Sequence, residues 1–201
     1  MSVYYYKGAQ ILAPFTITSN EPIFDVDTVS LRKQRASQNA HRWEISFSTV
    51  GTPDTMQDML VGSVVDLNST ATMVFPQLPV VDSNYSVTSD SVVVGTPGSI
   101  GNSSVIANGV GVTGTLPKGS FFKFSNHDKL YMTTADAVFT NGPTTVNFHP
   151  TLTSSVSTSN SFMLASNANF TYYRSIDNAA GITFSDGVLA SNGTIDLVEA
   201  L

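Results

Sequence analysis

The chain of 201 residues has no cysteine. That excludes a disulfide scaffold, a cysteine nucleophile and thiolate zinc sites, and it suits assembly in a reducing cytoplasm. Charge is also scarce. Asp, Glu, Lys and Arg make up 12% of the chain, about half the roughly 25% usual in soluble domains. Ser, Thr, Asn and Gly take their place and leave a neutral, polar, β-prone surface. Free monomers ordinarily carry more charge to stay apart, so much of this surface is expected to lie against neighbours. The competing reading of the composition is an ordinary secreted β-domain. Long apolar runs are missing as well: none approaches the roughly 20 residues of a membrane helix, and no membrane partner is expected. The start, Met1-Ser-Val-Tyr-Tyr-Tyr-Lys7, lacks a charged segment followed by an apolar one, so no export leader is expected. Sequons such as Asn68-Ser-Thr70 and Asn169-Phe-Thr171 then read as products of a Ser/Thr/Asn-rich composition.

Catalytic patterns are missing too. There is no Gly-x-Ser-x-Gly elbow and no phosphate loop ending in Lys-Ser/Thr. Gly109-Val-Gly111 leads into a β-run and so is no dinucleotide fingerprint. The three histidines, His41, His127 and His149, are not spaced as a helical metal pair. His127-Asp128 falls in the turn Asn126–Lys129, where side chains that cap their own backbone are the simplest reading. His149-Pro150 ends a strand. Acidic residues stand mostly alone in turns, although a pair of carboxylates of the glycosidase kind meets only in the fold. No catalytic residue, cofactor or metal site is expected, and the chain does not read as an enzyme. The net charge of −6 argues against general or sequence-specific nucleic-acid binding.

Short strands separated by turn residues fill most of the sequence. In His41–Ser48 the residues Trp43, Ile45 and Phe47 point one way and Arg42, Glu44 and Ser46 the other, as in a strand with one buried face. Further strands are predicted at 70–75, 85–88, 91–94, 103–106, 110–113, 120–124, 129–133, 144–148, 169–173, 181–184 and 194–198. Asn108-Gly109 predicts a hairpin between 103–106 and 110–113. One helix is predicted. Thr52 can cap it, Pro53 suits its first position and Asp54 favours the positive end of its dipole. Met56, Met59 and Leu60 share a face, and Gly62 is a natural stop after two to three turns. The stretches 95–102 and 150–161 read as irregular; the second, nearly all Ser and Thr, reads as a linker or as a loop that orders only in an assembly. The class is all-β with one short helix. Residues 81–150 are expected to form a small β-barrel inserted into a core built from 1–80 and 151–201.

Two clusters point to interfaces. Four of the nine basic residues fall together: Arg32, Lys33, Arg35 and Arg42. They suit an acidic neighbouring subunit or passing DNA, against the plain reading of a solvated loop. The stretch 28–42 is expected to be a polar arm between strands that reaches the next copy, with Trp43 anchoring it. Tyr4, Tyr5 and Tyr6 are either interface anchors or an edge strand that caps its own domain.

Several segments resemble phage tail proteins of about this length. Ser30–Phe47, with its basic Arg/Gln segment followed by His41-Arg-Trp43, is similar to their Gln-Arg-Trp strand before a short helix. Leu116–Phe124, Lys129–Asp136 and Val146–Leu152 resemble, in order, a Leu-x-x-Gly-Asp strand, a Lys-Val-Tyr strand and a strand ending in Pro-x-Leu. Ile195–Leu201 is similar to a terminus containing Glu-Ala. The resemblance is to the distal tail and tail tube family, and it implies a tail-tube-like β-sandwich or split barrel with a flanking helix, set in sixfold rings. It implies a virion location in the tail or baseplate after assembly in the host cytoplasm. The partners are then copies of the chain in a ring, expected to be hexameric, and other tail or baseplate proteins, with DNA passing through the lumen. The alternatives are a capsid decoration or head-completion protein, a host glycan-binding β-domain, which would need a cleft with exposed aromatics, for which Tyr172, Tyr173 and Trp43 are the candidates, and a glycan-degrading enzyme.

Overall fold

A computed structural model describes residues 4–27, 33–37, 40–50, 53–65, 69–75, 87, 91–164, 167–175, 183–185 and 188–201. The elements are β1 (Tyr5–Tyr6), β2 (Ala9–Asn20), β3 (Ile23–Asp27), β4 (Lys33–Ser37), β5 (Arg42–Val50), α1 (Pro53–Val65), β6 (Ala71–Val74), β7 (Val93–Val94), β8 (Ser104–Asn108), β9 (Thr113–Leu116), β10 (Phe121–Phe124), β11 (Leu130–Thr133), β12 (Ala137–Thr140), β13 (Pro143–His149), β14 (Phe162–Leu164), β15 (Asn169–Arg174), β16 (Thr183–Ser185) and β17 (Val188–Glu199). The chain is all-β with one short helix, as its sequence predicts. Among the described residues no helix is long and apolar enough to cross a membrane.

The first sheet runs β1-β2-β5-β17-β15-β6, with β16 against β17. Its buried face carries the predicted alternation: Trp43, Ile45 and Phe47 of β5 are buried, with Ile195 and Leu197 of β17 and Phe170 and Tyr172 of β15. The strand β2 is longer than its sequence suggests. Pro14 interrupts an otherwise alternating run, and proline argues against an inner strand because it cannot donate to a ladder. The chain accommodates it with a bulge between Leu12 and Thr16, on either side of which the pairing with β5 is regular.

The second sheet runs β14-β10-β11-β13-β8-β7, and its two ends meet. Val93 bridges Ser161, Val94 donates to the Asn160 carbonyl at 2.9 Å, and Phe162 donates to the Val92 carbonyl at 2.9 Å. The sheet is therefore closed into a small barrel, which removes its edges. Inside it Phe122, Phe124, Tyr131, Phe148 and Phe162 interlock at ring separations of 4.9–6.0 Å. The barrel reaches past residue 150: Leu152, Val156, Phe162 and Leu164 belong to its core.

The side-chain period of two makes β10 and β11 a shared wall. Phe122 and Tyr131 point into the barrel, while Phe121 and Leu130 point the other way, into the core of the first sheet. There Phe121 packs on Trp43 at 5.1 Å and on Phe75 at 4.4 Å.

Four local expectations need correction. The stretches 95–102 and 150–161 are irregular but not a linker: they zip together through Gly98 with Val156 at 3.0 and 2.9 Å, Gly101 with Leu152 at 2.9 Å and Leu152 with Asn102 at 2.8 Å. Their Ser and Thr are what a backbone-to-backbone seam on a surface tolerates, and Leu152 and Val156 nail it to the core. The chain does turn at Asn108-Gly109, but β8 pairs with β7 and β13 while β9 pairs with β12. The turn sends the chain into a separate ribbon with β12, whose Leu116, Ala137 and Phe139 still pack on the barrel core, and a Cβ on Gly109 would lie 2.6 Å from Phe139 Cδ1. The helix runs through Gly62 to Val65, because Gly62 sits under the Lys7 side chain, whose carbons lie 2.9–3.0 Å from where a Cβ would be. Of its predicted apolar face, Met59 is buried. Lastly, within the stretch 28–42, which the sequence read as a polar arm between strands, β4 pairs with β3 as a hairpin; residues 28–32, 38 and 39 lie outside the described residues. The predicted cap Thr52 and most of the predicted strand 85–88 lie outside the described residues.

Candidate functional site: a projecting hairpin and the buried ion pair at its base

Among the described residues β3 and β4 pair only with each other, from Ile23 opposite Ser37 to Asp27 opposite Lys33. The hairpin grows from the end of the β2–β5 ladder, whose last pair is Asn20 with Arg42. Five strand residues at about 3.4 Å each carry it roughly 17 Å beyond the sheet. All of β3 is exposed. Register places Asp25 and Asp27 on one face opposite Arg35 and Lys33, and Phe24 and Val26 on the other. Ile23, Phe24 and Val26 are 53%, 60% and 59% exposed. An isolated two-stranded hairpin is marginally stable at best in water, and this one leaves an apolar face uncovered.

The basic cluster singled out in the sequence is divided. Lys33 lies on the hairpin with its ammonium 3.7 Å from Asp25. Arg35 lies on the same strand opposite Asp25, and Arg32 lies outside the described residues. Arg42 starts β5 and is engaged within the subunit, its Nε donating to Glu44 at 2.9 Å. The arm is therefore not a naked positive segment: Lys33 pairs with Asp25 across the hairpin. The tyrosines are divided as well. Tyr5 is exposed, Tyr4 is half-buried against Phe15, and Tyr6 is 1% exposed. Tyr6 packs on Phe47 at 5.4 Å and Tyr172 at 6.2 Å, so it belongs to the core of its own sheet and is not free to anchor a neighbour.

Beneath the hairpin's base lies a buried polar cluster that sequence reasoning missed. Lys129, at the start of β11, is 2% exposed and Glu199, at the end of β17, is 4% exposed. The Lys129 ammonium has three donors and three acceptors: Glu199 Oε2, the His41 carbonyl at 2.7 Å and His41 Nδ1 at 3.1 Å. Glu199 also accepts from the backbone N–H groups of Leu130 at 2.8 Å and Trp43 at 2.9 Å. The Trp43 indole closes the ring by donating to the Leu130 carbonyl at 3.0 Å. Because Nδ1 accepts, His41 carries its proton on Nε2 and donates it to Ser19 Oγ at 2.8 Å. Ser19 and His41 flank the hairpin on β2 and before β5, so the barrel's Lys129 grips both legs of the arm.

Burial governs the electrostatics. It lowers the Lys129 ammonium, with Glu199 opposing, and raises the Glu199 carboxyl, with Lys129 and the two N–H donors opposing. Each ammonium proton has an acceptor and the carboxylate accepts three hydrogen bonds, which offsets the cost of burying the two groups. His41 is lowered to about 4, by burial first and then by Lys129 and His149. It is thus neutral in the fold. Among the described residues no group of three His, Asp or Glu side chains could hold a metal. His127 does not cap its own backbone as the turn reading held: its ring nitrogens bond Asn126 Oδ1 at 2.9 Å and the Tyr131 hydroxyl at 2.8 Å.

Two signals for this site were present in the sequence. Ile23-Phe-Asp-Val-Asp27 alternates apolar and acidic residues, and Lys33-Gln-Arg35 has the matching cationic spacing. Nothing in the sequence could pair Lys129 with Glu199, which are 70 positions apart.

Residues 83–166 match the family model of the B domain of distal tail protein pb9. No curated protein matches the chain. The match spans the whole barrel, from β7 to β14. It relates the chain to a phage distal tail structural protein, in agreement with the resemblance of 116–152.

Proposed function

We propose that this chain is a non-enzymatic structural subunit of a phage tail that closes into a ring of its own copies near the tube end or baseplate. The kinship of the barrel with a distal tail domain supports the tail role. The observation that carries self-association is the hairpin: Phe24 and Val26 form an apolar face that the subunit itself leaves open. In a ring of identical subunits the contact is head-to-tail, and each hairpin docks on the next copy until the circle closes. Burying such a face is the step that gives a marginal hairpin its stability. The paired charges on the opposite face, Asp25 and Asp27 with Lys33 and Arg35, stay in water or line a passage for DNA. The chain then divides into a ring-forming unit, the first sheet with its hairpin, and a barrel unit set on its periphery.

Electron microscopy of the purified chain tests this directly. Closed rings, sixfold in the expected case, are the predicted particles, and the double variant Phe24→Ser/Val26→Ser is expected to give folded monomers. Charge reversal at Arg32 and Arg35 is expected to impair rings as well, because at Arg35 it sets a carboxylate opposite Asp25 in the hairpin register. A wild-type chain that stays monomeric at high concentration, or normal rings from the Phe24/Val26 variant, would overturn the proposal.

A further inference from the structure

A cleft of about 520 Å3 opens to solvent where the barrel meets the first sheet. The barrel contributes His127, Asp128, Thr153 and Ser154 to its lining, and β15 contributes Thr171 and Tyr173. Strand alternation sets the two adjacent tyrosines apart. Tyr172 stacks on Phe170 inside the core, while Tyr173 is 47% exposed at the cleft.

The chemistry of the lining selects a ligand class. Asp128 holds Lys123 with one carboxylate oxygen at 3.0 Å, which cancels the charge and leaves the other oxygen as an acceptor. His127 is lowered by burial and spends both ring nitrogens on Asn126 and Tyr131, so it adds no cation. Lys129 reaches the lining but has all three donors committed to Glu199 and His41. Among the described residues that line the cleft, a phosphate or carboxylate ligand would find no free positive charge. A lipid tail would face hydroxyls and a carboxylate. A pyranose meets each feature: its C–H face matches the negative face of an aromatic ring, and its hydroxyls match an acceptor carboxylate and a row of Ser and Thr hydroxyls. The volume lies within the roughly 300–1,000 Å3 of small-ligand sites.

We propose that this cleft binds a neutral glycan, one or two pyranose units long, stacked on Tyr173 and hydrogen-bonded to Asp128 and the Ser/Thr hydroxyls. The proposal is independent of ring formation, since it needs no second copy.

Saturation-transfer NMR on the full chain with glucose, galactose, mannose, N-acetylglucosamine and their disaccharides provides the test. Binding of at least one of them at about 1–10 mM is expected, a weak affinity in keeping with an open cleft. Tyr173→Ala and Asp128→Asn should each weaken it about tenfold or more without moving the thermal midpoint, whereas Tyr5→Ala, which alters an exposed tyrosine elsewhere, should leave it unchanged. Failure of every saccharide to bind, or binding indifferent to Tyr173→Ala, would overturn the proposal. Tighter binding of glucose 6-phosphate than of glucose would overturn the assignment of a neutral ligand.

Discussion

The barrel and the hairpin are both antiparallel β-structure, yet they solve the burial problem in opposite ways. The barrel closes on itself through Val93 and Ser161 and fills its interior with interlocked aromatic rings, so the apolar faces that line its interior have partners within the chain. The hairpin has two strands, no third layer and an apolar face in water. A closed sheet is complete as a monomer. An open ribbon is complete only against something else. The contrast separates what the subunit needs in order to fold from what it needs in order to assemble.

Substitutions can break that contrast, beginning with the largest effect. Lys129→Met leaves Glu199 buried without its cation and should cost about 3–5 kcal/mol, read as a lowered midpoint in denaturant. The double change Lys129→Met/Glu199→Gln should cost less than the sum of the two single changes, because the pair acts as a unit. Phe122→Ala empties the centre of the barrel and should cost about 3–5 kcal/mol by the same measurement, with ring formation retained by the molecules that fold. Acid should act on the junction next. His41 is depressed in the fold, so the neutral form contributes stability that is fully present above the unfolded value near 6.5 and is lost as pH falls through about 4. Thermal unfolding followed from pH 7 to pH 4 should show this loss, and His41→Gln should flatten it. At the small end, Phe24→Ser/Val26→Ser should change monomer stability by no more than about 0.5 kcal/mol, as surface substitutions do, while abolishing rings. A large stability loss from the hairpin variant would mean that the hairpin is part of the fold and not an appendage to it.

The legible parts of the sequence were those where local pattern and tertiary demand agree. Strand β5 was read correctly because Trp43, Ile45 and Phe47 alternate against one core. The helix start was legible from Pro53 and Asp54. Strands β2 and β12 were missed: Pro14 breaks the first, and the second, at Ala137–Thr140, is a four-residue ribbon whose partner β9 is set by register and not by propensity. The hairpin was misread as a loop because its strands are short, polar on one face and supported only by each other. Of the site, the basic residues and Tyr5 were visible, but the exposed apolar residues of the hairpin, Phe24 and Val26, were ordinary in context. An exposed phenylalanine looks the same in sequence as a buried one.

By itself the sequence determined the all-β class, the position of the helix and the identity of most strands, because side-chain period and turn chemistry are local properties. It also carried the kinship of the barrel segment, which is written in residue order. Only the tertiary structure decided which strands close into a barrel, that Phe121 and Phe122 serve two different cores, and that Lys129, Glu199 and His41 meet beneath the hairpin. Those facts depend on contacts between residues far apart in the chain. Burial, which makes one lysine an internal cation and leaves one phenylalanine in water, exists only once the chain has folded.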